Sequence, residues 1–419
     1  MTFQTNQKKT ILKNGITLLT DQMPQNASTA ISFYILKGAR DESPDESGMT
    51  HFCEHAVFKG TPSYTKNTLA ETLDMMGGKY NAYTANERVC IYNIVPSIYV
   101  SQCLEIFCDM VNNSLFDEKE IDLEREVILN ELRMGLEIPQ NRINDEFDEK
   151  SFAGTQLSPP IIGTVESVSG FTADQLRDYY HQAFIAENII VSIAGNFNEN
   201  EVLTLLENTE FRHGTPPVRK DLMPSPEHSV GWTIMPSEQL HIIAGNSRLR
   251  LTFNEHRLIR ILDSIMGDNM SSRLFQRIRE DLGLCYSVHT STAAYTFETQ
   301  FCINLSIAAR NLKKTVNAIS DIITDIKHNG ITESELNRAK QAIINEVYLS
   351  FDKAQLRAAR MVSQLVKYGR FIPFDETIAG YNAITVADVN AFVHKVFDID
   401  KWYTHLLYRK ECDMPAWKF

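Results

Sequence analysis

The 419-residue chain has no CxxC pair, no excess of basic residues, and no apolar run approaching the roughly 18 residues that a membrane-spanning helix needs. Each absence removes a class of function. Its seven cysteines, at 53, 90, 103, 108, 285, 302 and 412, are odd in number and scattered. That pattern suits reduced thiols in a reducing compartment rather than a disulfide framework. The first twenty residues, "MTFQTNQKKTILKNGITLLT", have neither the apolar core of a secretory signal nor the Arg- and Ser-rich, acid-free character of a transit peptide, so the expected location is cytoplasmic. With 53 acidic against 41 basic residues and a net charge of −12, nucleic-acid binding is disfavoured. No membrane partner is expected either.

What is present is an ordinary globular composition, 43% hydrophobic and 22% charged, on a chain long enough for two or three domains. "ITLLTDQM" and "TAISFYILKGA" read as two strands around a turn at Pro24-Gln25-Asn26. Helices are expected near residues 49–60, 67–76, 100–112 and 117–136. "KYNAYTANERVCIYNIVP" alternates as one or two strands with a break near Ala85-Asn86. "FTADQLRDYYHQAF" is a helix with Thr172 as N-cap, leading into the strand "NIIVSIAGNF". The stretch 211–232, with four prolines and two glycines, is the best domain boundary. It divides the chain into an N-terminal domain, 1–210, and a C-terminal domain, 233–419. In the second half "QLHIIAGN" and "TQFCINLSIAA" read as strands, with helices near 255–266, 271–281, 310–328, 332–350 and 386–396. Strands arriving in adjacent pairs predict an α+β fold of two similar domains, each a mostly antiparallel sheet with helices on one face. No clean sequence repeat accompanies that similarity.

The chemistry is concentrated in "MTHFCEHAVFKGT", residues 49–61. On a helix, His51, Glu54 and His55 stand at i, i+3 and i+4 and project from one face. Two imidazoles one turn apart can hold one zinc ion, and the glutamate between them can activate a water. This is the inverted zincin order, HxxEH. Three residues in five can also arise by chance, and a catalytic zinc needs a third protein ligand. "DEKEIDLEREVILNELRM" offers one: Glu124 and Glu131, seven residues apart, share a helix stripe with Ile121, Ile128 and Leu132. Glu131 as ligand and Glu124 as the carboxylate supporting a histidine or the water would explain both. The competing assignment pairs them with Arg125 or Arg133 at a helix edge.

"HFCEHAVFKGT" together with "LEREVILNEL" resembles the pitrilysin/insulinase family of zinc peptidases, especially the half-size branch that includes the mitochondrial processing peptidase. The family has its ligand glutamate about 76 residues after the second histidine, and Glu131 falls 76 after His55. Further similarity runs through "GARDE" (38–42), "GGKYNAYT" (77–84), "AENIIVSIAGNF" (186–197) and "SSRLFQRIREDLGLCYSV" (271–288), nearly the whole chain. The resemblance implies one zinc per chain on His51, His55 and Glu131, with Glu54 as general base and Glu124 in support. It implies that Phe58 walls the scissile bond, where an ordinary core phenylalanine is the competing assignment. It implies that Asn81 and Ala82 receive an extended peptide substrate on an edge strand; a plain half-buried strand fits the same residues. Arg279 and Tyr286 match the family's Arg-x6-Tyr element, donors suited to charge developing on the substrate carbonyl. Cys53, Ala56 and Val57 depart from the family's bulkier aliphatic residues, and "LSPPIIGT" (157–164) matches only loosely.

These implications give a zinc endopeptidase whose closed chamber needs a second chain. A homodimer is expected, with a heterodimer as the variant. The alternative is a non-catalytic structural or assembly subunit, although such chains typically lose a metal residue and this one keeps all of them. The acidic run at 137–149 would favour basic residues near the cut, or simply solubility.

Overall fold

Strands with apolar residues on both sides need cover on both faces, and that requirement organises the computed structural model, which describes residues 5–221 and 228–419. Two compact units are present. The first comprises Met1–Arg133, Pro159–Arg219 and Tyr348–Ile372; the second comprises Met134–Ser158, Lys220–Val347 and Pro373–Phe419.

The sheet of the first unit is built from β1 (Gln7–Ile11), β2 (Thr17–Gln22), β3 (Ser28–Ile35), β4 (Asn81–Ala85), β5 (Arg88–Pro96) and β6 (Ile189–Gly195). Their order is β1-β2-β6-β3-β5-β4, antiparallel except for β2 with β6. The pair expected around Pro24 is therefore split: β6 lies between β2 and β3. All seven residues of β6 are buried, so it is satisfied only at the centre of a sheet. On one face the helices Met49–Ala56, Val100–Asn113 and Ala173–Ala183 close the main core over Ile31, Phe33, Ile91 and Val191. Thr172 caps the last of these, its Oγ1 accepting from the Gln175 amide at 3.2 Å. The other face is covered by a helix that the sequence reading missed, Ala354–Tyr368. Its Ala354, Ala358, Met361 and Val362 pack on Leu19, Ala30, Tyr34 and Ala194.

The second unit repeats the plan with β7 (Ser229–Ile234), β8 (Leu240–Leu249), β9 (Cys285–Ala294), β10 (Thr299–Ile307) and β11 (Tyr403–Tyr408), ordered β7-β11-β8-β10-β9. Only β7 and β11 run parallel. Helices Glu255–Met266, Leu312–Asn329 and Val386–Val396 close one face. The helix Pro139–Ser151 covers the other through Ile143 and Phe147, against Ile243, Cys302, Tyr403 and Leu407. This helix is the acidic run. Two of its acids are engaged locally, Glu146 with Arg142 at 2.5 Å and Glu149 with Lys150 at 2.6 Å.

The α+β architecture of two sheet-and-helix domains is thus as expected, with one more helix on each second face. The linear division into 1–210, 211–232 and 233–419 does not describe the units, because each takes its covering helix from elsewhere in the chain. The proposed linker also carries structure: Phe211 is buried and β7 begins at Ser229. Pro224 and Pro226 lie outside the described residues.

Candidate metal centre

The motif helix starts at Gly48, whose φ of +95° a side chain would resist and whose missing Cβ would meet Ile162 O at 2.8 Å. Glu42 caps it, accepting the amides of Gly48 at 2.9 Å and Thr50 at 2.7 Å, where the positive end of the helix favours a carboxylate. The rest of "GARDE" clamps the turn between β4 and β5. Arg40 Nη1 meets Glu87 Oε1 at 2.7 Å, and Gly38 has no room for a Cβ beside Ala85 O and Arg88 N. This pentapeptide therefore fixes both the helix carrying HxxEH and the hairpin beside it. The loosely matching 157–164 segment likewise abuts the helix start.

His51, His55 and Glu131 form the one group of three metal-capable residues among the described residues, with one ligand atom from each lying within 4.8 Å of the others. Glu131 Oε2 is 3.6 Å from His55 Nε2 and 4.0 Å from His51 Nε2. Ligands on a tetrahedral zinc with bonds of about 2.0–2.1 Å stand roughly 3.3 Å apart, so shifts of a few tenths of an ångström would complete the set. A His2Glu donor set with a fourth position open is one that catalytic zinc sites use. The residues fit the ion.

The two histidines are held unequally. His55 Nδ1 donates to Glu124 Oε1 at 2.7 Å, which turns Nε2 toward Glu131. His51 Nδ1 is buried with no hydrogen-bond partner, and burial pushes this imidazole down to about 3, toward the neutral form a metal requires. The second oxygen of Glu124 lies 2.5 Å from Lys59 Nζ. Burial alone would raise Glu124, but the bonds from His55 and Lys59 bring it below the usual carboxylate range. The competing pairing with Arg125 or Arg133 does not occur: Arg125 donates to Val168 O and Asp122, and Arg133 to Asn130. The shared buried stripe holds for Glu124 but not for Glu131, whose side chain is 52% exposed. Ile128 and Leu132 on either side of it are buried, so Glu131 leaves the core side of the helix Glu118–Glu137 while its apolar neighbours stay on it.

Glu54 is 9% exposed and points at the same region. Its carboxyl is raised by burial, an effect opposed by a hydrogen bond from Thr84 and by His55. Thr84 Oγ1 donates to Glu54 Oε2 at 2.7 Å. Neither Thr84 nor Lys59 was singled out from sequence. Thr84 stands two residues after Ala82 on an alternating strand, and Lys59 four after His55 on the motif helix, and those spacings were the available signals.

Phe58 is half-buried and stacks on Tyr80, ring centroids 6.5 Å apart. Asn81 and Ala82 lie on β4, the outermost strand of its sheet, and the Ala82 amide donates to Asn81 Oδ1 at 2.9 Å. Arg279 and Tyr286 belong to the second unit. The guanidinium of Arg279, on the π-helical segment Phe275–Asp281, lies 5.2 Å from the centre of the Tyr286 ring, and Tyr286 is 81% exposed.

Residues 17–165 match the family model described as insulinase (peptidase family M16), and residues 170–343 match one described as peptidase M16 inactive domain. The metal-capable group lies within the first of these. The chain is 32% identical over 390 residues to an uncharacterized zinc protease of Rickettsia bellii, covering 92% of this chain and 94% of that one. It is 29% identical over 424 residues to the uncharacterized zinc protease YmxG of Bacillus subtilis, covering 98% and 100%. In fold it is similar to a protease from Helicobacter pylori, with a TM-score of 0.88 at 17% identity over 96% of this chain and 99% of that one. The periplasmic protease PqqL from Escherichia coli superposes with a TM-score of 0.80 at 19% identity, over 98% of this chain but 48% of PqqL.

Proposed function

The chain belongs to the insulinase family of peptidases, M16, and from that premise we propose that it is a zinc-dependent endopeptidase acting on extended or unfolded peptides. One observation carries the reading: His51 Nε2, His55 Nε2 and Glu131 Oε2 converge beside a buried glutamate from the same turn of helix. In this reading His51, His55 and Glu131 hold one zinc per chain, and Glu124 orients His55. When bound, zinc supplies Lewis acidity toward the scissile carbonyl and the attacking water. Glu54 takes the proton of that water and delivers it to the leaving amine. An extended peptide adds to the free edge of β4 at Asn81 and Ala82, which presents its carbonyls without demanding one side-chain sequence. Phe58, with Tyr80 behind it, supplies an aromatic wall.

Pairing with a second copy is part of the proposal. The chain spans about half of PqqL, and one fold match is to a structure described as the first half of that protease. A second copy would supply the missing half, with its Arg279 and Tyr286 serving this chain's centre; a related subunit is the variant. No helix among the described residues is long and apolar enough to cross a membrane. All seven cysteines are free, which supports a reducing, cytoplasmic setting.

Metal analysis and cleavage of a peptide library, read by mass spectrometry, test the reading. One zinc per chain, cleavage by the native protein, and loss of cleavage but not zinc in Glu54→Gln are expected. A protein without zinc, in which Glu54→Gln changes nothing, would instead support the non-catalytic subunit reading. Light scattering during size-exclusion chromatography checks the dimer.

A further inference from the structure

The base proposed for catalysis is a carboxylate held by one side chain. Its Oε2 accepts the Thr84 hydroxyl at 2.7 Å. No other side chain among the described residues donates to this carboxylate, which the Thr84 backbone also approaches, and the residue as a whole is 9% exposed. A glutamate side chain has three rotatable bonds, and an unrestrained carboxylate at the mouth of a site samples several orientations. A strong bond to one oxygen removes most of that freedom.

The position of the donor is itself well fixed. Thr84 pairs with Val89 across β4 and β5, one step from the turn that Arg40, Glu87 and Gly38 clamp. Threonine is β-branched and stiff at χ1, so on a clamped strand its hydroxyl has little freedom. Its strand is also the outermost of the sheet, the one that carries Asn81 and Ala82. The element proposed to receive substrate is therefore the element that holds the base.

We propose that Thr84 is the positioning residue for Glu54, fixing Oε2 through its hydroxyl so that Oε1 faces the attacking water. This rests on the zinc-peptidase reading. Ordering a reactive group beforehand lowers the barrier without strengthening substrate binding, so its loss falls on kcat.

The test compares Thr84→Val, which keeps shape but lacks the hydroxyl, with Thr84→Ser, which keeps the hydroxyl, in the full chain loaded with zinc. Thr84→Val is expected to lose roughly 10–100-fold in kcat, the scale seen when outer partners of a catalytic site are removed. KM, zinc per chain and melting temperature should stay near the native values, and Thr84→Ser should recover most of the loss. Native kcat in Thr84→Val, or a loss confined to KM or zinc content, or no recovery with serine, overturns the proposal. Should valine disturb folding, the ratio of Thr84→Ser to Thr84→Ala reads the same quantity. Glu54→Gln, measured alongside, separates the two claims. If it is inactive while Thr84→Val is native-like, only the positioning role fails. If Glu54→Gln is active, the peptidase reading itself fails.

Discussion

His55 Nδ1 and Glu124 Oε1 lie 2.7 Å apart, and this bond decides which nitrogen of His55 is available to a metal. An ionised carboxylate only accepts, so Nδ1 carries the proton and Nε2 keeps its lone pair. Lys59 at the second carboxylate oxygen, 2.5 Å away, keeps Glu124 in that ionised form.

Glu124→Gln should therefore lower zinc affinity by about 10–100-fold, since an amide can present its NH2 to His55 and permit the wrong tautomer. Lys59→Met should weaken zinc in the same direction and by less. Competition against a chromophoric chelator reads both. Native affinity in Glu124→Gln would remove this carboxylate from the site.

If Tyr286 serves as the donor to the developing oxyanion, Tyr286→Phe should reduce kcat/KM by roughly 100–1000-fold while zinc per chain stays unchanged, because losing such a donor costs about 3–4 kcal/mol. Steady-state kinetics beside metal analysis check it. A native-like variant would leave the exposed tyrosine outside the reaction.

The helix Ala354–Tyr368 is tied to the first sheet by a buried bidentate pair. Arg357 Nε and Nη2 donate to the Asp21 carboxylate at 2.7 and 2.6 Å. Breaking such a pair from one side leaves an uncompensated buried charge, so Arg357→Ala should destabilise the first unit by about 3–5 kcal/mol. Replacing both partners, Asp21→Leu with Arg357→Met, should cost less. Urea unfolding of the two variants gives the comparison.

Asp148 lies on the helix Pro139–Ser151, accepts from Gln300 Nε2 at 2.7 Å, and is raised to about 6 by burial. A carboxyl with a raised folded pKa favours folding in its protonated form. Its contribution is present below the ordinary value near 3.8 and is lost as pH rises through about 6. Asp148→Asn keeps a neutral partner for Gln300. It should melt higher than the native chain at pH 7–8, and the difference should vanish near pH 4. Thermal melts across that range check the sign.

The sequence by itself determined the local chemistry. HxxEH places His51, Glu54 and His55 on one face because a helix repeats every 3.6 residues, and the distant Glu131 came from a family spacing that survives in this chain. Helices with strong periodicity or a capping threonine, such as Ala173–Ala183, were legible for the same reason. Tertiary structure decided what lies far apart in sequence or depends on which face meets which. The insertion of β6 between β2 and β3, and the two helices that cover the second sheet faces, follow from burying strands on both sides. No local pattern names a partner more than a hundred residues away. Lys59 on Glu124 and Thr84 on Glu54 belong to the same class: each is an ordinary polar residue until the fold brings a carboxylate within hydrogen-bond distance.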